Sequence, residues 1–344
     1  MKRTNTNSSH TSSQIVVKPR TANVLSSQTN SEKSHPTNSS RKREPIFRAE
    51  VSSAQLFVFT LKGISTGKKD QHAYCEISEI GMKFTTTDSS LAAQGSALIK
   101  ESVYDVWKIN SSSPVCFRIN LAVLLQCLGS LSPANLQLTH LKMAFFEEEE
   151  CFSLQLAEGR LLTECKIKTM IETADSGIDR DSQGQADDIE KDMVDFAAAF
   201  SSVEVVNKGI VKSDQLRDAF SELSELPGAA TVSVLMSPEA PFFRLRTQGQ
   251  TASCEIDFPK GDETFTQLLC QKTMLCEYRL SLLQQAGKAL SVSDKTFVRM
   301  NAEGTLSVQH MITHQDGQKT YVDYFILADI DQDENEDSQL TSSQ

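Results

Sequence analysis

Ala54, Phe57, Leu61 and Ile64 recur at the spacing of one helical face. Alternating apolar and polar stretches follow: AYCEIS at 73–78, GMKFTTT at 81–87 and SALIK at 96–100. Alternation of period two is the signature of a half-buried strand. VCFRIN at 115–120 then leads into a second helix, with Leu121, Leu124, Leu125, Leu128 and Leu131 on one face. Asn120 stands where a side-chain oxygen caps the first turn. LQLTHL (136–141), CFSLQL (151–156) and LLTECKIK (161–168) read as further strands.

The same order returns later in the chain. VVNKGIV (205–211) reads as a strand, followed by a helix with Ser213 as cap and Leu216, Ala219, Phe220 and Leu223 on its apolar face. TVSVLM, FFRLRT and SCEIDF read as strands, YRLSLLQQA as a shorter helix, and TFVRM, LSVQHMI and TYVDYFIL as strands. Helix, three strands, helix, three strands is spelled twice, which predicts an α+β protein of two similar domains.

The boundaries follow from composition. Residues 1–45 are rich in Ser, Thr and Asn with few clustered apolar positions, and read as a disordered extension. Residues 46–169 form the first predicted domain and 196–328 the second. Between them, 170–195 is acidic and poor in large apolar residues, a linker. Residues 329–344 read as a disordered acidic tail.

Two short helices cannot cover both faces of so many strands. The helices would share one surface, backed by curved antiparallel sheet whose outer strands keep unpaired edges. Unlike edges pairing head to tail close into a ring when the rotation permits. A β-sandwich with two inserted helices satisfies the pattern almost as well.

Composition narrows the class. The chain has 344 residues, 39% hydrophobic and 23% charged, ordinary for a water-soluble protein. No apolar run approaches a membrane span, and the N-terminus lacks the apolar core of a secretion signal. The eight cysteines (Cys75, Cys116, Cys127, Cys151, Cys165, Cys254, Cys270 and Cys276) form no CxxC pair. They read as reduced thiols, with no metal site. Net charge is −11, concentrated in the linker and tail, whereas the first fifty residues are basic. An acidic body argues against nucleic-acid binding by general surface attraction and leaves room for a local basic face.

GMKFTTTDSS, a Gly-led strand running into the Asp88–Ser89–Ser90 turn, resembles PCNA-type sliding clamps. FRINLAVLLQCL (117–128) is similar to the strand–helix junction of that fold. With LRDAFSEL (216–223), MSPEAPFFRLRTQG (236–249), IDFPKGD (256–262), KALSVS (288–293) and LSVQHMITHQDGQKTYVDYF (306–325), the resemblance is to the Rad-one family of subunits of the heterotrimeric nine-one-one checkpoint clamp. It spans about residues 48 to 328.

The resemblance implies the PCNA-like clamp fold, each domain carrying two helices on curved antiparallel sheets. It implies a ring of three different two-domain subunits around double-stranded DNA, in the nucleus. The partners would be Rad-nine and Hus-one type subunits, an ATP-dependent clamp loader, and repair and signalling proteins. It implies no catalysis, cofactor or metal. A 3′-to-5′ exonuclease and a homotrimeric replicative clamp are the rival functions.

Helices facing DNA would present Lys62, Lys68, Lys69, Lys212, Arg217, Arg279 and Lys288 to phosphates, with Asp218 and Glu222 diluting Arg217. By position, the subunit-interface strands are Leu161–Lys168, with Leu161, Leu162, Cys165 and Ile167, and Thr251–Phe258, with Thr251, Cys254, Ile256 and Phe258. Ile171, Met193 and Phe196 are candidates for an apolar partner groove at the linker. Arg41–Lys42–Arg43 fits a nuclear import signal. Glu147–Glu150 reads as a solvated hairpin tip, since adjacent strand residues face opposite ways and cannot converge on one ion.

Overall fold

The computed structural model describes residues 44–129, 135–170, 195–261, 263–314 and 317–329. The first half contains β1 (Phe47–Val51), α1 (Ala54–Gly63), β2 (His72–Ser78), β3 (Gly81–Thr87), β4 (Ala93–Lys100), β5 (Val106–Ile109), β6 (Val115–Asn120), α2 (Leu121–Leu128), β7 (His140–Phe146), β8 (Cys151–Glu158) and β9 (Leu161–Met170). The second half contains α3 (Phe196–Ser201), β10 (Val205–Lys212), α4 (Ser213–Ser224), β11 (Thr231–Met236), β12 (Phe243–Gln248), β13 (Ser253–Phe258), β14 (Phe265–Cys270), β15 (Met274–Arg279), α5 (Leu280–Ala286), β16 (Lys295–Asn301), β17 (Leu306–Thr313) and β18 (Lys319–Ile326).

The strands pair in the same order in both halves, with five strands rather than three between the helices of each. In the first half β4-β3-β2-β6 and β9-β8-β7-β1-β5 are the consecutive neighbours; in the second, β13-β12-β11-β15 and β18-β17-β16-β10-β14. Every described strand pairing is antiparallel. Strand for strand, β1–β9 map onto β10–β18. The halves are joined by β4 pairing with β18, from Leu98↔Tyr321 to Ala93↔Ile326.

Local sequence explains the helices. Ser53 Oγ accepts from Gln55 N–H at the start of α1, and Asn120 Oδ1 accepts from Val123 N–H at 2.9 Å at the start of α2. These side chains satisfy amides that have no partner within the helix. Ser213 departs from its expected role as a cap. It is the first residue of α4 itself, and its buried hydroxyl lies 2.8 Å from that of Thr296 and accepts from Ser293. Leu131, expected on the α2 face, lies outside the described residues.

Several elements exceed the pattern. LQLTHL divides into a 3-10 turn at Leu136–Leu138 and the start of β7. Tyr278 and Arg279 end β15 rather than opening α5. The strands β1, β5, β14 and β15, and α3 with its run of alanines, were not legible from periodicity. Their assignment depends on the strands and aromatic rings they lie against.

α1, α2, α4 and α5 form one layer over the sheets, and α3 packs on the opposite face against Phe325 of β18. α1 packs against α2, and α4 against α5. The 3-10 turn Gly287–Ser291 after α5 packs against both α1 and α4, which closes the layer across the two halves. Between helices and strands runs one continuous apolar core that includes Phe57, Phe84, Phe117, Leu216, Tyr278 and Tyr324.

Candidate nucleic-acid interface and pairing edges

The helix layer gathers part of the predicted basic set. Lys68, Arg279 and Lys288 line one cleft of about 760 Å³ where the halves meet. Lys68 comes from the exit of α1, Arg279 from the end of β15 and Lys288 from the turn after α5. Lys288 Nζ donates to Ser65 O at 2.7 Å across the junction. Burial lowers its pKa, because removing an ammonium from water disfavours its charge.

Two carboxylates share the cleft, Asp70 and Asp88. Burial raises the Asp88 pKa, but hydrogen bonds from the Ser90 hydroxyl and the amides of Ser90, Ala92 and Ala93 outweigh it, and the net shift is downward. That carboxylate holds the β3–β4 turn, which explains the Asp-Ser-Ser motif locally. Gln71, His72, Gln284 and Gln285 also line the cleft. A search by charge passes over them, since three are neutral amides and His72 opens a strand.

The other basic candidates do not join this cleft. Lys62 is exposed in the last turn of α1, and Lys69 is exposed with its carbonyl accepting from Asn120 Nδ2 at 3.2 Å. Lys212 is half-buried before α4. Arg217 on α4 is bonded to Asp218 at 3.1 Å, so its charge is locally answered.

The two expected interface strands are both open on one side. β13 pairs only with β12 among the described residues, from Phe243↔Phe258 to Gln248↔Ser253. β9 pairs with β8 along Leu161–Lys168, and β6 meets it only at Thr169 and Met170. Leu161 and Leu162 are 65% and 43% exposed at the start of β9. Cys165 and Ile167 instead face the core, as strand alternation requires; the Cys127 thiol of α2 hydrogen-bonds to the Cys165 sulfur. Thr251 lies ahead of β13 in the β12–β13 connection. Cys254 and Ile256 are half-buried and Phe258 is buried.

Phe196 does not line an open groove. It is buried in a small cluster with Phe200 and Phe325 that fastens α3 to β18. Ile171 and Met193 lie outside the described residues. Glu147–Glu149 form an exposed 3-10 turn at the β7–β8 tip, with Glu150 left-handed at φ 46°.

The chain matches the family model described as repair protein Rad1/Rec1/Rad17 over residues 46–312. The chain belongs to the Rad1 family. Curated relatives agree. The cell cycle checkpoint protein RAD1 of Homo sapiens is 34% identical over 268 residues, covering 77% of this chain and 86% of that protein. Its Mus musculus counterpart is 35% identical over 261 residues, covering 75% and 85%. The DNA damage checkpoint control protein rad1 of Schizosaccharomyces pombe is 34% identical over 120 residues, covering 35% and 37%. The Rad1 match extends through both halves and through the cleft between them. No helix among the described residues is long and apolar enough to cross a membrane.

Proposed function

We propose that this Rad1-family chain is a non-catalytic segment of a heterotrimeric ring clamp that encircles DNA at damage and supports checkpoint signalling and repair in the nucleus. The observation that carries this reading is the duplicated strand order. β4 is the fourth strand of its half and β18 the ninth of the other, and these two pair within the chain. β13 and β9 are the corresponding fourth and ninth strands, and both are open. The internal junction is thus a template for a junction between chains, head to tail.

In such a ring the helix layer lines the hole. Lys68, Arg279 and Lys288 then meet phosphates through long side chains and water, without base readout. The remaining candidates, Lys62, Lys69, Lys212 and Arg217, add scattered charge. Affinity of this chain alone for duplex is weak and salt-sensitive, so encirclement retains the ring. Rad-nine and Hus-one type subunits supply the other segments, and an ATP-dependent loader opens and closes the ring.

The exonuclease reading is less favoured. The curated relatives are named as checkpoint proteins.

Co-expression with the two other clamp subunits tests the reading. The wild-type chain is expected in a 1:1:1 complex by native mass, and L161D/L162D on the open β9 edge is expected to drop out of it. A stable homotrimer of the purified chain, or full assembly of the double variant, would overturn it.

A further inference from the structure

The internal junction also predicts how the open edges would meet if this chain paired with a copy of itself. β16–β17–β18 align with β7–β8–β9 through Lys295↔Met311↔Tyr321 and His140↔Ala157↔Leu162, which places Glu164 at the position of Asp323. β2–β3–β4 align with β11–β12–β13 through Tyr74↔Thr85↔Ser96 and Ser233↔Arg246↔Glu255, which places Glu255 at the position of Ser96. Within the chain, Asp323 faces Ser96 across the junction. In a self-junction of the same register, Glu164 would face Glu255.

Like charges directly opposite each other across a strand pair are destabilising. Cations on the same sheets answer this pair only in part: Arg246 stands in register with Glu255 on β12, and Lys166 on β9 would lie diagonal to Glu255. Glu164 and Glu255 are both exposed. The cation nearest Glu255 is Arg244, which already bonds Glu255 at 2.8 Å and the Asp257 carboxylate through two nitrogens. Lys166 falls opposite Ser253 in this register.

The packing is mismatched as well. At the internal junction the Tyr324 ring fills the space over Gly95, and its hydroxyl donates to Gly63 O at 2.9 Å. The corresponding self-junction pair is Cys165 with Cys254, which leaves that space unfilled and the tie to the helix unmade.

We propose that the β9 and β13 edges of this chain reject each other, with Glu164 and Glu255 as the residues that decide it, so that each edge selects a different partner chain. The strand taken by β9 then carries a neutral or basic residue opposite Glu164, and the strand taken by β13 carries one opposite Glu255. This rests on the ring reading above and adds the residues that set its composition.

The test is a charge-reversal cycle on the full-length chain, followed by sedimentation at low ionic strength, where surface charges are least screened. Wild type, E164K, E255K and E164K/E255K are compared. Wild type and the double reversal are expected to stay monomeric, and each single reversal to self-associate at least about tenfold more tightly, a change of about 1.4 kcal/mol. E164K is the primary variant, because Lys at position 255 would stand against Arg244; thermal melts verify that each variant is folded. Single reversals no tighter than wild type, or a double reversal as tight as the singles, would overturn the proposal. The L161D/L162D co-expression separates the two readings. If that variant still assembles, the ring reading itself falls. If it drops out while the single reversals stay monomeric, only the mismatch falls.

Discussion

The β4–β18 junction and the β9 and β13 edges are the same two strand positions, joined within the chain in one case and left open in the other. The joined pair is stapled beyond its backbone bonds. Tyr324 reaches from β18 to the end of α1, the Thr60 and Thr320 hydroxyls lie 3.1 Å apart, and Lys288 reaches Ser65. The open edges carry charge, exposed leucine and small thiols at the corresponding places. Identical topology therefore yields a permanent contact where side chains interlock. Where they do not, it leaves an edge unpaired among the described residues.

The largest expected effect breaks the staple. Tyr324→Ala should destabilise the isolated chain by about 4 kcal/mol, since it removes a fully buried aromatic and leaves a cavity; chemical denaturation reads this directly. Gly95→Val should cost about 3 kcal/mol, because a Cβ there sits 2.7 Å from the Tyr324 ring, which has no room to move. The readout is the same midpoint shift.

Acid should separate the two halves next. His310 is fully buried beneath α5, and its ring nitrogens lie 3.0 Å from Thr296 Oγ1 and 2.9 Å from Ala286 O. Burial lowers its pKa to about 4. Between that value and the unfolded value near 6.5, the unfolded chain binds the proton that the folded chain refuses. Stability is therefore complete above about pH 6.5 and falls as the pH drops, by about 2 kcal/mol at pH 5. The corresponding position in the first half is Leu156, which does not titrate. His310→Leu should flatten this part of the pH–stability profile.

Smaller effects sharpen the contrast. Tyr324→Phe should cost about 1 kcal/mol by leaving the Gly63 carbonyl without its donor, with little change in packing. Leu161→Ser on the open edge should change the stability of the isolated chain by less than about 0.5 kcal/mol while weakening assembly with the other clamp subunits. Equal losses at Tyr324 and Leu161 in the isolated chain would erase the distinction between joined and open edges.

Much of this was written in the chain. The faces of α1, α2 and α4 and the alternation of β2, β3, β8, β9, β11, β12 and β17 are local patterns, because burying one face imposes a period on the residues themselves. The clamp motifs carried the family and with it the fold. The strands β1, β5, β14 and β15 were not legible, since a few residues with little alternation become strand only against a neighbour. Nor was the convergence of Lys68, Arg279 and Lys288, which come from different elements and meet because α1 packs across the junction.

The sequence by itself determined a duplicated helix-and-strand module and its membership of the Rad1 family. Tertiary structure decided which strands join. β4 and β18 lie far apart in the chain, and nothing local says that one copy of that pairing closes within the molecule while the other stays open. That choice depends on long-range packing, with Tyr324 over Gly95 on one side and Glu164 and Glu255 left facing solvent on the other.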